Sequence, residues 1–374
     1  MRPEANKLVI WHEFDGPGDT SIELLEQLCR DYSRTHRAEV VLEMMNISEL
    51  ASRLNRVAAG GEAPQMALVP ADMAAFADKA RYSVVPAELL ALVSGQGMEF
   101  APSMNSAGVP YGLPVLTGNH LVLYYNRDLF PEPPGSWEEI AELGQDLKSK
   151  GIRPVAADLQ EPYWFMPFLT AFGGWPIQEG VPALPETETQ QALAFVRKQF
   201  EKGLLCSMDG STELLERFIA GETGAILGGE WSFNHLDRHM GSRLGVARLP
   251  SVGGRSSISM TSAIGLVFPG GSLESELRRE ILSFARFMLK EEVQEKWGTA
   301  VQRIPVHAGA RERLKLSGPA NRGRLAELAE ECRSMPIEPA MSSVWEAMRA
   351  GLTLLLDYGA ETAYAVMRRR LQFS

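Results

Sequence analysis

Lys7-Leu8-Val9-Ile10-Trp11 is a short apolar run of strand type, and the residues from Thr20 to Val69 decide the fold that it begins. A helix is expected from about Ser21, where Thr20 and Glu23 stand at capping-box spacing. Its apolar face carries Ile22, Leu25, Cys29 and Tyr32 at helical period. Glu39 to Met45 alternates Val40, Leu42 and Met44 as a second strand. Leu50, Leu54 and Val57 mark another helix, stopped by Gly60-Gly61, and Gln65 to Val69 reads as a third strand. Strand–helix–strand units of this spacing imply a mostly parallel sheet covered by helices.

The same habit recurs downstream. Leu121 to Tyr125 is a strand, and a turn rich in proline (Pro131, Pro133, Pro134) follows it. Ser136 and Glu139 form a second capping box, opening a helix through Ile140, Leu143 and Leu147 that Gly151 ends. Val155 to Asp158 returns to strand; helices over Gln190 to Lys202 and Thr212 to Ala220 lead into a strand from Gly224 to Leu227. Another apolar strand runs from about Ile264 to Phe268. From Glu274 onward the pattern is nearly all helical, including Met341 to Leu356.

With 374 residues, 45% of them hydrophobic, the chain has more apolar material than one ordinary domain holds, so two lobes are expected. The formal net charge of -10, without a clustered basic stripe, argues against nucleic acid as a partner. Arg368-Arg369-Arg370 reads as a solvent face of a terminal helix. The longest apolar patch, about Leu352 to Leu356, falls far short of a membrane span. Charged residues and a strand come almost at once after Met1, leaving no visible secretory signal. Either the chain is native to the cytoplasm or a leader has been removed.

Catalytic and metal signatures are missing. There is no nucleophile elbow, P-loop, dinucleotide fingerprint or HExxH, so neither an enzyme nor a cofactor is expected. Cys29, Cys206 and Cys332 stand far apart and make no ligand spacing; Cys29 reads as a buried structural thiol. His235 and His239 share a helix face but lack an acidic or cysteine partner in a metal pattern. Tyr124-Tyr125 sends its two rings to opposite faces of a strand, where packing explains them.

Three aromatic clusters stand out instead. Glu161-Pro162-Tyr163-Trp164 comes after the strand ending near Asp158, Glu230-Trp231 after the strand Gly224 to Leu227, and Trp345 and Arg349 lie one helical turn apart. Ligands in open α/β sheets bind beyond the carboxyl ends of strands, where the first two clusters fall. Flat aromatic faces beside carboxylates and a guanidinium suit a sugar, whose rings offer apolar C–H faces and a rim of hydroxyls. Any one tryptophan alone reads as core; the three clusters together read as a binding wall.

These residues carry a resemblance. KLVIW at Lys7 to Trp11, YYNRDLFPEPPGSWEEI at Tyr124 to Ile140, LQEPY at Leu159 to Tyr163, GETGAILGGEW ending at Trp231 and SSVWEAMRAG around Trp345 occur in this order. The chain resembles the extracytoplasmic solute-binding proteins of ABC transporters, family 1, and within them the maltose-binding group. The resemblance implies a two-lobed periplasmic-binding-protein fold, each lobe a mixed, mostly parallel sheet flanked by helices, with a helical C-terminal tail. It divides the chain into an N-terminal lobe of 1–117 plus 264–312 and a C-terminal lobe of 118–263 plus 313–374.

By the same resemblance, Asp15 and Asp72 belong to the N-terminal side of a ligand site, and Asn119, or Gly118 before it, stands where that group has an acceptor glutamate, with Asn119 counted among the ligand-binding residues. Glu161, Tyr163, Trp231, Trp345 and Arg349 form its C-terminal wall. Gly16, Val69 and Met73 replace a lysine, a tryptophan and an arginine of that group, so the N-terminal side has lost polar contacts. The resemblance therefore implies a monomeric, periplasmic binding component that closes its lobes on an oligosaccharide and delivers it to a membrane permease. A sensory or scaffolding protein retaining the fold, or a binder of a different small polar solute, is the alternative.

Overall fold

The structure, a computed structural model, describes residues 6–14, 16, 18–36, 38–96, 104–208, 210–317 and 320–372. Two compact units share the chain. The first comprises Met1–Asn119, Thr261–Ala326 and Ser334–Pro339; the second comprises His120–Met260, Glu327–Arg333 and Ala340–Ser374.

In the first unit the opening strand–helix–strand units are present: the strand Asn6–His12 lies parallel to both Ala38–Met44 and Met66–Pro70. The sheet order is Ile304–Pro305, Gly112–Gly118, Met260–Val267, Met66–Pro70, Asn6–His12, Ala38–Met44. The strands beyond Met66–Pro70 return antiparallel, so the sheet is mixed. The helix Ser21–Thr35 covers one face with Leu24, Leu25, Leu28, Cys29 and Tyr32, and the Tyr32 ring meets Phe284 edge-on at 5.1 Å. Ile22 is only partly buried, one position off the stripe. Met44 ends the edge strand of the sheet and is 57% exposed.

The capping box expected at Thr20 is not made: the Thr20 side chain caps nothing in the helix. Asp19, one residue earlier, accepts the Ser21 amide at 2.8 Å. Its other oxygen is held by Arg303 at 3.2 Å, and Arg303 also donates to Ser21 Oγ at 2.9 Å. Both members of this ion pair are buried. Removing one partner of such a pair strands a charge and costs roughly 3–5 kcal/mol, which makes the pair a lock on the loop before the helix.

The second unit holds a five-stranded sheet in the order Leu205–Ser207, Arg153–Ala157, Thr223–Gly229, Leu121–Asn126, Leu244–Ala247. Leu205–Ser207 and Thr223–Gly229 run parallel to Arg153–Ala157, and Leu121–Asn126 and Leu244–Ala247 continue the sheet antiparallel. Here the capping residue was legible: Ser136 Oγ accepts the Glu139 amide at 3.1 Å. Glu139 answers by accepting from Gly135 N at 2.8 Å, one residue earlier than a reciprocal box requires. Tyr124 is fully buried with its hydroxyl donating to Gly229 O at 3.0 Å, and Tyr125 packs over Gly245.

Two helices of this unit carry the residues of the expected binding wall. Pro162–Ala171 opens with proline at its first turn, where a missing N–H costs nothing, and is buried on nearly every side. Met341–Tyr358 buries Met341, Val344, Met348, Gly351, Leu352 and Leu355 at helical period. It packs against Pro162–Ala171 and Glu186–Glu201, and the terminal helix Ala360–Gln372 packs along it. Arg368, Arg369 and Arg370 are exposed on that last helix.

Candidate functional site

The carboxyl ends of two adjacent parallel strands, Arg153–Ala157 and Thr223–Gly229, set the site in the second unit. The chain leaves the first strand through Asp158 to Glu161, the N-cap residue of Pro162–Ala171. It leaves the second through Glu230 and Trp231 in a single 3-10 turn. Arg349 arrives from the helix Met341–Tyr358 and donates from Nη1 to Glu161 Oε1. Both side chains are well exposed, 49% and 41%, so the pair is worth at most about 1 kcal/mol and can open readily to a ligand.

Beside this pair runs a ladder of rings. Trp345 meets Tyr163 at 6.2 Å, Tyr163 meets Trp164 at 6.3 Å, and Trp164 meets Trp231 at 5.9 Å. Tilted and edge-on contacts at these separations suit aromatic quadrupoles and fix the rings against one another. Trp164 is buried and donates Nε1–H to Leu227 O at 2.8 Å, anchoring the ladder to the sheet. Tyr163 donates its hydroxyl to Met260 O at 3.1 Å, so what it offers a ligand is its face. Trp231, Tyr163 and Trp345 are each partly exposed. Gly229 makes room for Trp231: a Cβ there would lie 2.2 Å from the indole.

Glu161, Tyr163, Trp345 and Arg349 are thus brought together directly, and Trp231 joins them through Trp164. Asp72 and Asn119 lie in the first unit. Asp72 is partly exposed in the 3-10 turn Ala71–Phe76, just past the strand Met66–Pro70; burial raises the Tyr82 phenol above its usual range, and the charge of Asp72 adds to the rise. Asn119 is partly exposed in a left-handed conformation (φ 44°), which asparagine tolerates better than most side chains. Asp15 lies outside the described residues. Val69 and Met73 belong to a buried apolar cluster with Trp11, Leu50 and Tyr82, so neither side chain presents a polar group.

Two acidic residues were not named as ligand contacts from the sequence: Asp158, read only as a strand end, and Glu230, noted beside Trp231. Asp158, 6% exposed, has its carboxyl pushed up to about 6 by burial and by the charge of Glu161, against backbone hydrogen bonds and Arg349, which lower it. Glu230, 1% exposed, sits between Gly229 and Trp231, with its amide donating to His120 O at 2.9 Å. The signal that pointed to Glu161 and Trp231, a position just past a strand end, applies equally to both.

Elsewhere in this unit a cavity of about 600 Å³ is lined by Leu121, Arg248, Ser257, Ile258 and Glu331 among others, and it shares no residue with the aromatic wall. The His235 and His239 rings lie 4.3 Å apart, tilted by 44°, on the helix Phe233–Met240, and a His239 ring nitrogen bonds the His235 carbonyl. Cys29 is buried, which pushes its thiol up to about 12. Among the described residues no group of three or more His, Cys, Asp or Glu is arranged to hold a metal ion, and no helix is long and apolar enough to cross a membrane.

Known proteins share both this sequence pattern and this fold. The sequence pattern of the family described as bacterial extracellular solute-binding protein matches residues 27–320. The maltodextrin-binding protein MdxE of Bacillus subtilis is 23% identical over 263 residues, covering 64% of this chain and 60% of that protein. The sn-glycerol-3-phosphate-binding periplasmic protein UgpB of Pectobacterium atrosepticum is 21% identical over 286 residues, covering 66% of this chain and 64% of that protein. The chain therefore spans somewhat under two thirds of the length of these curated relatives. Among solved structures, the maltose/maltodextrin-binding domain MalE from Bdellovibrio bacteriovorus bound to maltotriose superposes with a TM-score of 0.84 at 20% identity. That match covers 98% of this chain and 100% of that one, and it shows that the fold is shared.

Proposed function

The chain belongs to the family of bacterial extracellular solute-binding proteins, which are binding proteins and not enzymes, and from this we propose that it captures an oligosaccharide for an ABC importer. The observation that carries the proposal is the continuous ladder Trp345–Tyr163–Trp164–Trp231 beside the Glu161–Arg349 pair. Aromatic faces take the C–H faces of sugar rings, and the exposed carboxylate and guanidinium exchange their bond to each other for bonds to hydroxyls. Asp15, Asp72 and Asn119 are the contacts proposed from the first unit. The proposal extends to a monomer acting outside the cytoplasmic membrane, with a membrane permease as the partner that receives the closed form.

A phosphorylated polyol, the ligand in the name of the second relative, fits the wall poorly. The exposed Glu161 carboxylate pairs with Arg349 at the wall, so a phosphate that took Arg349 would leave that carboxylate unpaired beside its own charge. Neutral hydroxyls can bond both partners of the opened pair, whereas an anionic phosphate is repelled by one of them.

A thermal-shift panel of maltotriose, maltose, glucose and glycerol 3-phosphate tests the assignment. A ligand at about a hundred times its dissociation constant stabilises the folded state by roughly 2.7 kcal/mol, a readily measured shift. The expected result is a shift with an oligosaccharide and none with glycerol 3-phosphate. A shift with glycerol 3-phosphate alone would overturn the reading.

A further inference from the structure

The cavity of about 600 Å³ in the second unit has the size of an ordinary small-molecule site. Its walls come from the start of the strand Leu121–Asn126, from residues 248–259 and from residues 328–332, all within that unit. Backbone bonds tie these stretches to their surroundings: Ser251 N donates to Gly135 O at 2.9 Å, Trp137 N to Ser251 O at 3.0 Å, and Arg333 N to Ser259 O at 3.0 Å. Leu121, Val122, Leu249 and Leu328, all buried, make the wall aliphatic. Cys332 donates Sγ–H to Leu328 O at 3.2 Å, and burial pushes its thiol up to about 12, so it joins the wall as a neutral group. Ser251, Ser257 and Ser259 turn their hydroxyls to the carbonyls of Gly135, Pro250 and Met260. Among the described residues, the charged members of the lining are Arg248 and Glu331. They are joined as a fork, Nε and Nη2 of Arg248 donating to the two carboxylate oxygens. Both side chains are exposed, so the fork opens to a ligand at little cost.

We propose that this cavity is a second ligand site, one that takes a zwitterionic α-amino acid with a bulky apolar side chain. The ligand carboxylate replaces Glu331 on Arg248, the ligand ammonium takes Glu331, and the side chain lies against Leu121, Leu249 and Leu328. A lone carboxylate that took Arg248 would face the charge of Glu331, and a lone ammonium on Glu331 would face that of Arg248. A zwitterion meets each with the opposite sign. Because Arg248 and Glu331 touch, the two ligand charges must be neighbours, as they are on one α-carbon and are not at the two ends of a peptide. A sugar suits the cavity less well. Among the described residues its lining holds no aromatic ring to stack on, and hydroxyls turned toward buried leucines would lose their hydrogen bonds. The site shares no residue with the aromatic wall, so it stands independently of the oligosaccharide reading.

Calorimetric titration of L-leucine and L-phenylalanine into the full chain tests the assignment. Saturable binding of at least one of them is expected. Its N-acetyl and amide derivatives, which each lack one charge, are expected to bind roughly tenfold more weakly or worse. Arg248→Met is expected to weaken binding of the free amino acid by a similar factor, and Trp345→Ala to leave it unchanged. Glu331→Gln serves the same comparison should R248M not fold. No saturable binding of either amino acid, equal affinity for the blocked derivatives, or equal affinity in the wild type and R248M overturns the proposal. Loss of the binding in W345A overturns it too, since that would put the amino acid on the aromatic wall. If the amino acid binds as expected and maltotriose does not bind at all, the second site is supported and the sugar reading fails.

Discussion

Asp158 makes the fold itself sensitive to pH, independently of any ligand. Its carboxyl titrates at about 6 in the folded chain against a usual 3.8, so the folded state binds this proton more tightly than the unfolded state does. The stability gained from that proton is fully present below the usual value and is lost as pH rises through about 6. Asp158→Asn removes the charge and keeps an oxygen for the Gln160 and Glu161 amides. Its melting temperature is expected to exceed that of the wild type at pH 8 by a few degrees, with the gap closing in acid; a gap that is constant with pH would contradict this. At this scale the sequence was legible where chemistry is local. Glu161 and Tyr163 lie just past a strand end, and Trp345 and Arg349 are one turn apart. It was silent where the partner is remote: Arg349 meets Glu161 across 188 positions, and Arg303 meets Asp19 across 284. The second of these is why Asp19, and not the better-spaced Thr20, fastens the first helix.

Secondary-structure elements were the most readable level, because hydrophobic period and glycine stops are written locally. The helix expected through Ile140, Leu143 and Leu147 is Trp137–Ser149, with Gly151 beyond it in a left-handed conformation. What periodicity could not show is how a strand end shapes the site. The strand Thr223–Gly229 ends in two glycines because rings lie on both: Tyr124 over Gly228 and Trp231 over Gly229. Gly229→Ala would drive a methyl group into the indole of Trp231, and overpacking of this kind costs about 1–3 kcal/mol. The expected outcome is a folded protein with a shifted tryptophan emission maximum and weakened maltotriose binding. An unchanged spectrum and affinity would show that the indole has another resting place.

At the scale of the molecule, each unit is assembled from three stretches of chain, and the aromatic wall depends on that. Glu161, Tyr163 and Trp231 come from His120–Met260, whereas Trp345 and Arg349 come from the returning segment Ala340–Ser374. Length and apolar content implied two cores without revealing which segments share one. The ordered motifs of the family resemblance supplied the likeness that the pattern over residues 27–320 then established. The first unit's share of the site was the least legible, since Val69 and Met73 have joined the core and leave Asp72 and Asn119 as its described polar residues at the proposed site. Whether the ladder is a sugar platform is tested most directly by calorimetric titration of maltotriose into the wild type and Trp345→Ala. Saturable binding to the wild type is expected, with at least tenfold weaker binding to the variant, the loss of roughly 1.4 kcal/mol that one stacking face supplies. Equal affinity in the two proteins, or no binding to the wild type, would contradict it.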